Sequence, residues 1–134
     1  MACVVSWRSR KLKRIVLSST AAETLALNDT VSKMVYIKAM LREMLGLDVE
    51  GIPMEIFTDS KNLWKAVQTT ALVDDPRLRT DLAALKESLE NKEITKINRI
   101  PGSEMLADCL TKRGASSKQL MRVLQRGTEE KDRT

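Results

Sequence analysis

Three carboxylates stand at positions where an α/β protein can do chemistry, and Asp59 is the first of them. It directly follows a short β-favouring run, Ile56-Phe57-Thr58, and a helical pattern begins immediately after it. In open α/β sheets, catalytic and ligand-binding groups lie just past the carboxyl ends of strands. Asp is equally a favoured helix N-cap, so Asp59 or Ser60 could simply begin the next helix. The local sequence leaves both interpretations open.

Glu23 and Asp108 are the other two acids of this kind. Glu23 lies near the start of a long predicted helix, where Thr20-x-x-Glu23 has the spacing of a capping box and therefore a simpler explanation. Asp108 lies near the start of a helix that follows the next predicted strand. If the two strands are parallel neighbours, all three acids meet at one end of the sheet. Their repulsion would then call for a divalent cation with oxygen ligands, such as Mg²⁺. Paired ions could activate water for an in-line phosphodiester displacement.

Hydrophobic periodicity and turn residues predict the elements that must position these acids. The predicted strands cover residues 2–7, 15–17, 55–58 and 93–100. The predicted helices cover residues 20–45, 60–69 and 75–91, then residues from 104 until Gly114, and residues from 116 or 117 onward. Gly46 is the expected left-handed stop of the long helix, and Asp75-Pro76 the expected start of the third. The order strand, helices, strand predicts a parallel pair with a right-handed crossover.

Composition bounds the class of protein. The 134 residues suit one domain, and 43% hydrophobic residues with only 3% aromatic ones predict an aliphatic core. The absence of His excludes His-dependent triads, and Cys3 and Cys109 form neither a zinc motif nor a disulfide framework. No apolar run suffices for a membrane span or a signal peptide. We therefore expect a cytoplasmic or nuclear protein in a reducing compartment, without a membrane partner and not secreted.

The chain is basic, with a net charge of +5 and a pI of about 9.4. Its cations gather in two regions that are typical of polyanion binders. A solvated surface of a mildly basic protein is the alternative interpretation. The candidate nucleic-acid contacts are Arg8, Arg10, Lys11, Lys13, Arg14, Lys112 and Arg113, with Lys118, Arg122 and Arg126 beyond them.

Four blocks in order resemble the ribonuclease H region of copia-type retrotransposon Pol polyproteins. They are Ser6-Trp7 with basic residues after it, Leu17-Ser18-Ser19-Thr20-Ala21-Ala22-Glu23, Ile56-Phe57-Thr58-Asp59-Ser60 and Leu106-Ala107-Asp108-Cys109-Leu110-Thr111-Lys112. The resemblance runs from about Val5 to Gly127. It implies that Glu23, Asp59 and Asp108 descend from catalytic ligands of Mg²⁺, with Mn²⁺ as a substitute. The substrate it implies is the RNA strand of an RNA–DNA hybrid.

That family uses four carboxylates, and the first lies on the central strand of a five-stranded sheet, upstream of the Ser-Trp segment. This chain begins just before that segment, so we expect its first two strands and first catalytic Asp to be missing. The expected fold is α/β and ribonuclease H-like without those strands, a short mixed sheet with a parallel strand pair flanked by helices. This domain would cover residues 1–127, and residues 128–134 would form a charged, disordered tail. Asp81 matches an Asp of relatives, but an exposed helix acid is the simpler interpretation.

Two consequences follow from the missing strands. Cleavage should be weak or absent, because loss of one group from a cooperative catalytic unit costs orders of magnitude in rate. The open edge of the strand at 55–58 should invite pairing with another chain, such as the upstream reverse transcriptase region or a second copy. A non-catalytic nucleic-acid binder, a strand-pairing module and a decayed remnant without a selected function are the alternatives.

Overall fold

A computed structural model describes residues 5–46, 48, 51–69 and 73–126. The described residues divide into two compact units. The larger unit comprises those between Arg14 and Ile100, and the smaller comprises those before Arg14 and after Ile100.

A 27-residue helix, α1 (Ser19–Leu45), opens the larger unit. Its N-cap is Ser18, whose extended backbone lets the side-chain Oγ accept the Ala21 N–H at 3.1 Å. The predicted capping box at Thr20 is therefore wrong, because the helix begins two residues earlier and Thr20 already lies inside it. The predicted end is confirmed: Gly46 has a φ of 60° and donates its N–H to the Arg42 carbonyl.

Two four-residue strands, β1 (Glu55–Thr58) and β2 (Lys96–Arg99), pair in parallel. Ile56 lies opposite Ile97 and Thr58 opposite Arg99. The predicted parallel pair is confirmed, and the described residues form no other strand, so the expected mixed sheet is instead wholly parallel in that part of the chain. β2 begins later than predicted, because the Ile94 N–H still bonds to the Ser88 carbonyl at the end of the preceding helix.

Two helices connect these strands, α2 (Lys61–Gln68) and α3 (Pro76–Glu90). The predicted boundaries of α3 are confirmed: Asp75 accepts the Arg77 N–H at 2.9 Å, Pro76 is the first helical residue and Asn91 is the C-cap. The main core cluster joins apolar residues from α1, both strands, α2, α3 and the turn before β2. Its buried members are Ala21, Leu27, Val31, Ile56, Leu63, Val67, Leu78, Leu82, Leu85, Ile94 and Ile97.

The strands predicted at the N-terminus are wrong wherever the structure describes them. Residues 5–7 and 15–17 have no regular secondary structure, and residues 2–4 lie outside the described residues. A strand requires a hydrogen-bonded neighbour, and no such neighbour occurs in the described part of the chain. Val16 still packs against the core, whereas Ile15 and Leu17 are 83% and 81% exposed.

The smaller unit contains a 3-10 turn (Gly102–Glu104), the single-turn helix α4 (Asp108–Thr111) and α5 (Lys118–Arg126). The predicted continuous helix from Glu104 to Gly114 is wrong. Met105 takes an extended backbone conformation and separates the 3-10 turn from α4. α5 begins where predicted, and its Val123 is buried, whereas Leu124 is 54% exposed. The tail predicted at residues 128–134 lies outside the described residues.

Candidate carboxylate site

Asp59 lies at the carboxyl end of β1, between a buried strand residue and a helix cap. Thr58 is 1% exposed, and its Oγ1 accepts the Ser60 N–H at 3.1 Å. The Ser60 Oγ in turn accepts the Leu63 N–H at 3.3 Å, so Ser60 is the N-cap of α2. Of the two candidate caps, Ser60 therefore holds the position. Asp59 itself is half-buried, at the end of a parallel strand where ligands bind in open α/β sheets.

Glu23 belongs to the same unit and is also half-buried. It is the fifth residue of α1, beyond the turn that Ser18 caps, and the first turn of the helix contains no acid. The capping explanation of Glu23 is therefore wrong. Glu23 and Asp59 each take part in an interaction within the protein.

Asp108 belongs to the smaller unit, where it is the first residue of α4. Its Oδ2 accepts a hydrogen bond from Lys112 Nζ at 2.8 Å, across one turn of the chain. The Asp108 side chain is 21% exposed and that of Lys112 58% exposed. The Lys112 ammonium therefore balances the negative charge of Asp108. A metal ion at Asp108 would displace the Lys112 ammonium.

Convergence of the three carboxylates stays a prediction. Within the described ranges, no three or more Cys, Asp or Glu side chains lie close enough together to hold a metal ion. Glu23 and Asp59 both belong to the larger unit. Both side chains offer carboxylate oxygens, the type of ligand that Mg²⁺ and Mn²⁺ prefer.

The cations predicted to contact nucleic acid lie on the surfaces of both units. Each residue of the set is exposed: Arg8, Arg10, Lys11, Lys13, Arg14, Lys112 and Arg113. Two of them also hold carboxylates, since Lys112 bonds to Asp108 and Arg14 pairs with Asp81. Their positive charge is thus partly neutralised inside the protein, which weakens their contribution to an attraction for phosphate.

The pair between Arg14 and Asp81 is the contact that the sequence did not reveal. Asp81, expected to be an exposed acid, has a side chain only 14% exposed, and its carbonyl accepts Asn28 Nδ2 at 3.0 Å. The expectation is wrong because Asp81 borders the buried face of α3, three residues after Leu78 and directly before Leu82. The three-residue spacing from the apolar Leu78 places Asp81 on the same side of the helix, so the sequence alone could have predicted that Asp81 is largely buried.

Comparisons with family models, with curated proteins and with solved structures give no match. None of the helices in the described ranges combines the length and apolar character needed to cross a membrane.

Proposed function

We propose that this chain is a ribonuclease H-like domain of a retroelement Pol polyprotein. In the family that the sequence blocks resemble, such a domain cleaves the RNA strand of an RNA–DNA hybrid with Mg²⁺, or with Mn²⁺ in its place. Glu23, Asp59 and Asp108 are the proposed metal ligands. The family resemblance of the sequence blocks supports this assignment, and so does the α/β architecture with its parallel strand pair.

The position of Asp59 carries the proposal. Asp59 directly follows β1, which pairs in parallel with β2. Ser60, and not Asp59, caps α2, because its Oγ accepts the Leu63 N–H. Because Ser60 is the cap, Asp59 does not serve as one. A half-buried carboxylate at the carboxyl end of a strand is what a metal-dependent phosphodiesterase requires. Glu23 gives parallel support, because Ser18 likewise holds the cap of α1.

The proposed activity of this chain by itself is weak or absent. One of the three proposed ligands, Asp108, is already paired with Lys112, whose ammonium a metal ion would have to displace. A metal centre with fewer ligands binds its ions less tightly and places a second ion less well. Removing one member of a cooperative catalytic set commonly lowers the rate by several orders of magnitude.

Cleavage of an end-labelled RNA–DNA hybrid in Mg²⁺ and in Mn²⁺ tests this function. Any endonucleolytic cuts in the RNA strand should be slow, should disappear in Asp59→Asn and should persist in Asp74→Asn, an exposed acid remote from β1 in sequence. Cleavage that survives in Asp59→Asn would remove Asp59 from the mechanism. A folded protein that leaves the hybrid intact in both metals would refute hydrolysis by this chain.

A non-catalytic nucleic-acid binder is the second candidate, favoured by the exposed cations between Arg8 and Arg14. Binding through phosphate contacts would release counterions, and its affinity would fall steeply with salt. The test is fluorescence anisotropy of labelled hybrid and duplex over a range of salt concentrations. Replacing Arg10 and Lys11 by Gln should weaken binding and flatten the salt dependence. Affinity that is independent of salt would exclude this candidate.

A strand-pairing interaction module is the remaining alternative, in which a partner polypeptide or a second copy extends the sheet of β1 and β2. A monomer in solution whose β1 amides all resist hydrogen exchange would exclude it.

A further inference from the structure

Trp7 is exposed in a segment of the smaller unit that has no regular secondary structure. Its exposed fraction is 71%, although Trp is a large side chain that is highly buried on average. Residues 5–12 belong to no helix or strand. A hydrogen bond from Ser9 Oγ to the Leu110 carbonyl, at 3.1 Å, attaches this segment to the rest of the unit. The indole ring is therefore presented to solvent only two residues from an anchored position.

The positive charge of the chain is concentrated in the same unit. Its described residues, 5–13 and 101–126, include nine Lys and Arg against two acids, which gives a net charge of +7. The described residues of the larger unit include twelve cations and twelve acids and are neutral. The pair of Lys112 with Asp108 is already contained in this balance, since both residues belong to the smaller unit. A polyanion is therefore attracted to the smaller unit rather than to the larger one.

An exposed aromatic ring among cations fits one class of polyanion. Proteins that bind single-stranded nucleic acid combine cations along the phosphate backbone with aromatic side chains on which bases stack. Residues 5–13 supply both, because Trp7 is accompanied by four cations and no acid. The bases of a duplex are already stacked on one another, so an unpaired strand is the form of nucleic acid that can offer a base to the ring.

We propose that the smaller unit binds single-stranded nucleic acid, with the Trp7 indole stacked on an unpaired base and cations of the same unit contacting the phosphates. This binding mode rests on the nucleic-acid-binding candidate and adds to it the unit, the aromatic contact and the form of the ligand. It uses neither Glu23 nor Asp59, so it does not depend on cleavage.

Fluorescence anisotropy of a fluorescein-labelled strand measures the affinity of the full chain. The strand is a DNA oligonucleotide of about 12 nucleotides, within the range of site sizes of single-strand binders. A matched strand built of abasic residues keeps the phosphates and lacks the bases. We expect the intact strand to bind about tenfold more tightly than the abasic one, the size of effect that one base–aromatic stack produces. RNA of the same sequence should bind comparably to DNA, because neither contact uses the 2′-hydroxyl.

Substitution of Trp7 isolates the aromatic contact. Trp7→Leu keeps an apolar side chain but removes the ring, so it should weaken binding of the intact strand about tenfold. Its affinity for the abasic strand and for a duplex of the same sequence should match that of the wild type. Trp7→Tyr keeps an aromatic ring and should restore most of the affinity. Tyr36→Leu is the matched control, because Tyr36 is an aromatic residue 61% exposed in the neutral larger unit, and this change should have no effect.

Tryptophan emission gives a second readout that a merely structural role of Trp7 would not change. Trp7 and Trp64 are the tryptophans of the chain, and Trp64, on α2, is half-buried against the core. In Trp64→Phe, Trp7 alone emits. Stacking on a base should quench this emission when the intact strand is added, whereas the abasic strand should leave it unchanged.

Three results would overturn this binding mode. If Trp7→Leu and the wild type bind the intact strand equally and in a salt-dependent way, the stack is wrong and the nucleic-acid-binding candidate stands. If the folded chain binds neither the strand nor the duplex, both are wrong. If the strand binds but the emission of Trp7 in Trp64→Phe does not change, the ring lies outside the interface.

Discussion

Arg14 forms an ion pair with Asp81, 67 residues further along the chain. The pair attaches the segment that precedes α1 to the middle of α3. The Asp81 side chain is 14% exposed and that of Arg14 39% exposed, so the pair is partly shielded from water. The pair thus links the irregular segment before α1 to a helix of the same unit.

Asp81→Asn should lower the free energy of unfolding by about 1 kcal/mol, since it removes one charge from a partly buried pair. Arg14→Gln should have a similar effect, and the double variant should cost less than the sum of the two single changes. Urea denaturation measures all three, with Asp74→Asn as the control at an exposed acid. Strictly additive effects would show that the two side chains do not stabilise one another.

Ser18→Ala should destabilise the protein by about 1 kcal/mol, because it removes the acceptor of the Ala21 amide. Ser19→Ala is the matched control: it makes the same change one residue later, inside the first turn, and should cost much less. Thermal unfolding followed by circular dichroism compares the two variants. If Ser19→Ala proves the more damaging, Ser18 is not the cap.

Lys112→Met should raise the affinity of Asp108 for divalent ions several-fold, because the ammonium that competes for its Oδ2 is removed. Lys118→Met, which removes an equal charge at another exposed position of the smaller unit, serves as the control. Isothermal titration with Mn²⁺ measures the change. Identical affinities for the two variants would argue that Asp108 is not a ligand.

The elements predicted well are those fixed by chemistry that is local in sequence. Asp75 and Pro76 start α3, and Gly46 ends α1 through a left-handed backbone that other residues adopt at a cost. The parallel pairing of β1 with β2 follows from the order of the elements, since helices between two adjacent strands permit the crossover.

The features predicted poorly depend on residues that are distant in sequence, or on a choice among neighbouring residues that could fill the same position. Ile15, Val16 and Leu17 have β-branched or aliphatic side chains suited to a strand, but pairing requires a neighbour that propensity cannot supply. Three adjacent hydroxyl residues, Ser18, Ser19 and Thr20, compete for one cap, and only the backbone conformation decides among them. Asp81 is held by Arg14, whose distance in sequence gives no local signal.

The candidate site shows the same division. The position of Asp59 after β1 follows from the sequence. The structure was needed to show that Ser60, and not Asp59, is the N-cap of α2. The pairing of Asp108 with Lys112 was available from their four-residue spacing. The basic residues around Lys112 instead favour the phosphate contact that the sequence predicts for it.

Direct measurement of Mn²⁺ binding tests most sharply whether the carboxylates hold a metal. Electron paramagnetic resonance of the free aqueous ion gives the amount bound by the wild-type chain and by four variants. We expect bound Mn²⁺ in the wild type and substantial loss in Asp59→Asn and in Glu23→Gln. The control variants Asp74→Asn and Glu87→Gln, at exposed acids, should match the wild type. Binding that is absent from the folded wild type, or unchanged in Asp59→Asn, would contradict a metal site built on Asp59.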